Sequence, residues 1–284
     1  MTRRAIATIV TMVFAVATFA AAVVMPALAQ APAPAAPAAA KPAAAKPDAA
    51  GPAPRMTDGH PDLSGVWWTG GDVGGAQFGQ SNGSRIGGAR GTPAPTFPSL
   101  YKPEVAAKAK TLSDKDDPTL RCIPTAFGTL NVSLFDVGAV GQIIATPKMI
   151  VMLSETYHGF RLVPTDGRKH RDEVPPAYRG ESVGRWDGDT FVVDTRNFTD
   201  NTWISAEGRV SPHSDQLHVV ERYRRVNAST LEIDATLEDP EMLTRPWVVP
   251  KQTLVLAPFD RIMPLNCSGT ETQGLIDAAE KQAR

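Results

Sequence analysis

The stretch "SPHSDQLHVVERYRRV", residues 211–226, places an imidazole, a carboxylate and a phenol close together in what reads as a strand. At a two-residue period one face carries Leu217, Val219, Glu221 and Tyr223, and the other carries His218, Val220, Arg222 and Arg224. A glutamate on an apolar row is a chemical signal. A carboxylate desolvated among apolar groups holds its proton to higher pH than in water, and can then act as acid or base near neutrality. Tyr223 stands beside it as a second proton-transfer group. His213, just before the strand, would lie at the mouth of the site, either as a proton shuttle or as a cap on the preceding loop. The competing expectation is structural. An arginine such as Arg161 or Arg245 neutralises the glutamate, because buried charges are normally paired.

A second row of the same kind is Val151, Leu153, Glu155 and Tyr157 in "IVMLSETY". Trp203, in the irregular "FTDNTWISAEG", is the aromatic best placed to line an entrance, since loops over a mouth carry binding residues. Other chemistries fall away. His213, Ser214 and Asp215 are chain neighbours whose side chains diverge, so they make no hydrolase triad. "GESVG" is one residue too short for a nucleophile elbow. His213 and His218 point to opposite faces, and no repeated His or Cys spacing suggests a metal. Phosphate-loop, dinucleotide and haem motifs are lacking, so no cofactor is expected.

These residues must be positioned by strands. "KMIVMLSETYHGFRLVPTDGRKH" holds apolar runs around His158-Gly159 and a second turn at Asp166-Gly167. "ESVGRWDGDTFVVDT" predicts a hairpin with Asp187-Gly188 as its loop, setting Phe191 opposite Gly184. "HVVERYRRVNASTLEIDATLEDP" predicts another, with Asn227, Ala228 and Ser229 as the loop and Val226 facing Thr230. That register pairs Arg224 with Glu232 and Arg222 with Asp234 on one face. On the other it aligns Tyr223 with Ile233, Glu221 with Ala235 and Val219 with Leu237. A one-residue slip would drive acids into the apolar face. "WVVPKQTLVLAP" adds one or two strands, "KPEVAAKAK" is a short helix, and "ETQGLIDAAEKQAR" reads as helical. Successive hairpins without intervening helices imply an antiparallel all-β fold, a barrel or a sandwich.

The chain begins with Arg3-Arg4, a long apolar run and Ala27-Leu28-Ala29, the parts of a secretory signal over residues 1–29. Residues 30–56 are almost all Ala and Pro, an extended spacer that cannot bury apolar surface. Residues 57–284 then form a single domain, periplasmic or secreted, with no stable membrane insertion after signal cleavage. A formal net charge of -1 without a basic block argues against a nucleic-acid partner. The two cysteines, Cys122 and Cys267, have one possible pairing in an oxidising compartment. Closing so long a loop would stabilise by about 4–5 kcal/mol.

The segments "DGRKH", "GESVGRWDGDTFVVDTRNF", "SPHSDQLHVVERYRRV" and "DPEMLTRPW" resemble a widespread family of exported bacterial proteins with no assigned reaction. The resemblance spans roughly residues 61–247. It departs at Arg171, where the family has proline, at Asp215, where it has glutamate, and at "NCSGTETQG", where it ends in Cys-His-Glu-Gly. Gly65-Val66-Trp67 also resembles the Gly-x-Trp entry of lipocalin-like barrels, whose tryptophan closes one end. Together with the hairpins this implies a lipocalin-like β-barrel with short peripheral helices. The functional expectation is a barrel binding a small hydrophobic, aromatic or lipid-like molecule. It would act either as a cofactor-independent lyase, hydratase or isomerase, with Glu221, Tyr223 and His213 as acid-base groups, or as a carrier or envelope interaction protein. Glu155, Tyr157, Arg161, Trp203 and Arg245 are the expected ligand contacts.

Overall fold

Alternation of inward apolar and outward polar residues sets the strands of the computed structural model, which describes residues 51–68, 95–127, 140–155, 159–204, 210–263 and 281. The strands are β1 (Gly65–Trp68), β2 (Val140–Thr146), β3 (Met149–Ser154), β4 (Phe160–Pro164), β5 (Glu181–Asp187), β6 (Thr190–Arg196), β7 (His218–Asn227), β8 (Thr230–Glu238) and β9 (Trp247–Leu256). One helix, α1 (Pro103–Ala109), starts at a proline, as "KPEVAAKAK" predicts. Among the described residues no helix is long and apolar enough to cross a membrane. The expected leader, residues 30–50 of the Ala/Pro tract and most of the C-terminal "ETQGLIDAAEKQAR" lie outside the described residues.

The strands form one antiparallel sheet in the order β4-β3-β2-β1-β9-β8-β7-β6-β5. Its two outer strands come together, so the sheet is a nearly closed nine-stranded barrel, in agreement with the all-β expectation. At the seam the Gly167 amide, just past β4, donates to the Gly184 carbonyl of β5 at 2.9 Å. Gly184 has no side chain because Val163 and Phe191 occupy the space. A Cβ there would lie 2.8 Å from Val163 Cγ1 and 2.3 Å from Phe191 Cζ.

Two apolar clusters fill the interior. One holds Trp67, Ile143, Ile150, Met152, Val163 and Phe191 with Tyr223, Leu231, Ile233 and Leu254. The other gathers Phe97, Phe127, Phe198, Leu217, Val219 and Leu237 with Trp247 and Val249. Trp67 is fully buried, donates from its indole N–H to the Leu63 carbonyl at 3.0 Å, and lies under the Arg225 guanidinium at 5.0 Å. Arg225 donates in turn to the carbonyls of Asp62, Ser64 and Ala228. This end of the barrel is therefore plugged, as the Gly-x-Trp resemblance implies.

The β7–β8 register agrees with the expectation at Val219↔Leu237, Glu221↔Ala235, Arg222↔Asp234, Tyr223↔Ile233 and Arg224↔Glu232. The loop differs. Asn227 pairs with Thr230, and a bulge between Arg225 and Asn227 takes up the extra residue. Arg224 does bind Glu232 at 2.6 Å, but the Arg222 guanidinium reaches Asp187 at 2.7 Å instead of Asp234. Asp234 faces Lys251 at 3.3 Å. The β5–β6 loop is also corrected. Asp187 pairs with Thr190, so Gly188 and Asp189 form the turn, Phe191 pairs with Trp186, and Gly184 pairs with Val193. A glycine at positive φ (59°) in the first central position suits a type II′ turn. The Phe191 ring nonetheless covers Gly184, reaching along the strand rather than straight across it.

Filling Gly184 should force Phe191 and Val163 out of their places. Gly184→Val is expected to cost about 1–3 kcal/mol in urea unfolding, the usual range for overpacked cores. A variant as stable as the native chain would show that the seam is loosely packed.

Candidate functional site

β7 turns Leu217, Val219, Glu221, Tyr223 and Arg225 inward, and all five are buried. Glu221 has no solvent exposure at all. Its neighbours come from the other side of the seam. Arg161 on β4 shares the inward face with Val163. Its Nη2 donates to Glu221 Oε2 at 2.6 Å and to Thr195 Oγ1 at 3.0 Å. The Ser182 hydroxyl accepts from the same guanidinium at 3.1 and 3.3 Å. Ser182 and Thr195 face each other across β5 and β6, with hydroxyls 2.9 Å apart. Tyr223 donates its phenol to Glu221 Oε1 at 2.9 Å. The result is a polar layer between the two apolar clusters.

This arrangement decides between the two expectations for Glu221. The arginine pair is present, and its cation is Arg161. Arg245 is exposed and takes no part. Burial alone would lower the Arg161 pKa, but the charges and hydrogen bonds of Glu221 and Tyr223 outweigh it and hold the guanidinium above its ordinary value.

Beside it is a niche lined by Arg161, Arg179, Thr195, Glu221, Phe127 and Phe198, leaving about 10 Å³ for the centre of a water-sized molecule. That is room for about one water. Arg179 reaches the niche past Gly159, where a Cβ would lie 3.0 Å from Nη2. On the inward side of β9, Gln252 pairs with Ile233. Both its side-chain amide atoms are buried without a hydrogen-bond partner among the described residues.

The remaining expected site residues are distributed differently. His213 is buried and does not line the niche. Its Nδ1 lies 2.8 Å from the Ser214 carbonyl, which can only accept. The ring therefore donates there, and Nε2 accepts from the Thr202 hydroxyl at 2.6 Å. Burial pulls its pKa down, against the opposing effects of Ser214 and Asp239, so His213 is a neutral tie within its loop. Of the two roles expected for it, the cap fits this geometry. Ser214 is anchored too, donating from amide and hydroxyl to Asp239 at 2.8 and 2.7 Å.

Trp203 is buried rather than lining the niche, and its carbonyl accepts from Ala126 at 2.9 Å. The inward row of β3 is Ile150, Met152 and Ser154, the parity opposite to the expected Val151, Leu153 and Glu155. Every residue from Met149 to Leu153 is apolar, so periodicity had no contrast to read. Glu155 accepts from the Met263 amide at 2.7 Å, away from Glu221. Tyr157 and Cys267 lie outside the described residues; Cys122 is disulfide-bonded. Ser182 and Thr195 were missed as site residues. The signal was their shared inward parity in "ESVG" and "VVDT", which the two-residue period carries.

Among the described residues no group of three or more His, Cys, Asp or Glu side chains is arranged to hold a metal ion. Comparison with known proteins finds no matching family model, and no curated protein or solved structure with significant similarity.

The ion pair sets a stability test. Glu221→Gln leaves the Arg161 charge buried without its anion and should cost about 3–5 kcal/mol. Combining Glu221→Leu with Arg161→Met should recover most of that loss, because apolar residues of similar volume satisfy the same space. Unfolding curves of the single and double variants measure it. Additive losses would mean the two side chains do not act as a pair.

Proposed function

We propose that this protein is an exported binding barrel that holds a small aromatic or lipid-like molecule by an anionic head at the Arg161–Arg179 niche. The observation that supports this is the lining of the niche, two guanidinium groups and one carboxylate flanked by Phe127 and Phe198. Guanidinium forks suit a carboxylate or similar anionic head, and aromatic walls favour an apolar body beyond it. The niche has room for about one water, so an anionic head enters it only as the buried Phe127 and Phe198 rings give way, and the body then lies against them.

Catalysis by Glu221 is the weaker reading. A general base must reach a bound atom, yet one oxygen of Glu221 already takes the Tyr223 phenol and the other the Arg161 guanidinium. The basic head, apolar run and Ala27-Leu28-Ala29 of residues 1–29 support the reading of an exported, periplasmic or secreted barrel.

The test uses the fluorescent fatty acid cis-parinarate and its methyl ester. Parinarate should bind saturably, with the ester at least tenfold weaker, and Arg179→Met should lower parinarate affinity to the level of the ester. Equal affinity of acid and ester, or no saturable binding, would overturn the anionic-head reading.

A further inference from the structure

The outer walls of the barrel differ from one another. On β7 and β8 the outward positions are mostly ionisable, with His218, Arg222 and Arg224 opposite Glu238, Asp234 and Glu232. On β2, β3 and β4 they carry no charge. Ile144, Val151 and Leu162 form one row across the three strands, and Gln142, Leu153 and Phe160 form the next. Phe160 is 62% exposed, Leu162 52% and Ile144 43%. Single apolar residues on a surface are ordinary, whereas a contiguous set with a polar rim marks a contact surface.

One end of this strip has a basic rim. Thr165, just past β4, donates from its amide to the Lys148 carbonyl at 3.3 Å and from its hydroxyl to the Pro147 carbonyl at 2.6 Å. The β2–β3 turn is thereby set beside the segment 165–171, which carries Arg168 and Lys169. With Arg185 of β5 these two line an open groove of about 240 Å³. Among the groove's lining residues only Asp194 is acidic, and its Oδ1 lies within 3.0 Å of both His170 and His218. Asp166 takes up Arg168 at 2.6 Å. Arg185 acts on Asp187, whose own partner is Arg222 at 2.7 Å. Lys148, Lys169 and Arg185 are exposed, and none of them is in an ion pair among the described residues.

We propose that the outer face of β2–β4, with the rim of Lys148, Lys169 and Arg185, docks this barrel onto an anionic lipid surface as a peripheral contact.

Shape and size favour lipid over a protein partner. The outside of a barrel is convex and offers no pocket for a partner's anchoring side chain, whereas a fluid bilayer conforms to it. Side chains of roughly 200 Å², about half exposed, leave on the order of 300 Å² of apolar area on Phe160, Leu162 and Ile144. A stable protein interface buries about 800 Å² per partner. Peripheral membrane contacts instead add attraction to anionic headgroups to a modest apolar area. The cations stand at the edge of the strip, level with headgroup phosphates once the apolar side chains enter the interface. Each basic residue close to an anionic surface is worth about fivefold in affinity, so three give about a hundredfold preference over a neutral one. This docking depends on the outer wall alone and not on the niche at Arg161.

Cosedimentation of the purified protein with two kinds of vesicle tests the proposal, one of phosphatidylcholine and one with about a third of it replaced by phosphatidylglycerol. At about 0.1 M salt the anionic vesicles should bind at least tenfold more tightly, and at about 1 M salt, in a measurement that needs no variant, the preference should vanish. Phe160→Ser with Leu162→Ser should weaken binding to anionic vesicles at least tenfold without moving the melting temperature, since both side chains are exposed. Lys148→Glu with Lys169→Glu should erase the preference for anionic vesicles and leave the weak binding to neutral ones. No binding to anionic vesicles, equal affinity for both kinds, or binding that survives the Phe160 and Leu162 changes would each overturn the proposal. So would a free protein that sediments as a dimer and becomes monomeric with those two changes, because a second copy would then cover the strip.

Discussion

A guanidinium carried into a barrel interior must find acceptors, and Arg161 finds the Glu221 carboxylate at 2.6 Å on the far side of the sheet's open seam. Arg161 sits on β4, at one extreme of the strand order, and Glu221 on β7, near the other. The hydrogen bonds to Ser182 and Thr195 lie between them, on β5 and β6. One side chain thus ties four strands that the sheet's own ladder would leave as two ends. Backbone hydrogen bonding adds the Gly167 amide donating to the Gly184 carbonyl at the seam. Closure of the barrel and burial of the charge are consequently met by the same contacts.

The same constraint divides the interior. Below Arg161 and Glu221 the core is apolar as far as the Trp67–Arg225 plug, and above them a second apolar cluster gathers loop residues such as Phe97 and Phe127 around Trp247. Two arginines are buried in this barrel by different means. Arg225 donates to three carbonyls and covers an indole face, its buried Nε having no hydrogen-bond partner among the described residues, whereas Arg161 takes a carboxylate and two hydroxyls. Carbonyls carry no net charge, so burial leaves Arg225 below its ordinary pKa, despite Asp62 nearby, while Glu221 keeps Arg161 above its own.

Much of this was legible in the chain where residue types alternate sharply. In β7 and β8 apolar and charged residues take strict turns, so register, inward face and the oddity of Glu221 all followed from a two-residue period. β3 offers no such contrast, and its facing came out reversed. Tertiary partners were harder. Arg161 and Arg245 looked equivalent, because only strand order tells which of them reaches β7. Asp187-Gly188 and Gly188-Asp189 were both plausible loops, and the positive φ of Gly188 fits it in the first central position. His213 looked exposed to a mouth since a chain reading has no means of seeing the Thr202 hydroxyl fold over it.

Asp239 shows how one carboxylate can make two distant segments a single part. It accepts from the amide and hydroxyl of Ser214 and from the amide of Met242, so the turn before β7 and the turn after β8 hang on the same two oxygens. Asparagine there would present one oxygen and one donor to three donors, and a glutamate would be a methylene too long for a site only 2% exposed. Neither Ser214 nor Asp239 can drift alone. The pair is a joint in the mechanical sense, and in the history of such a chain the two positions would be expected to change together or not at all.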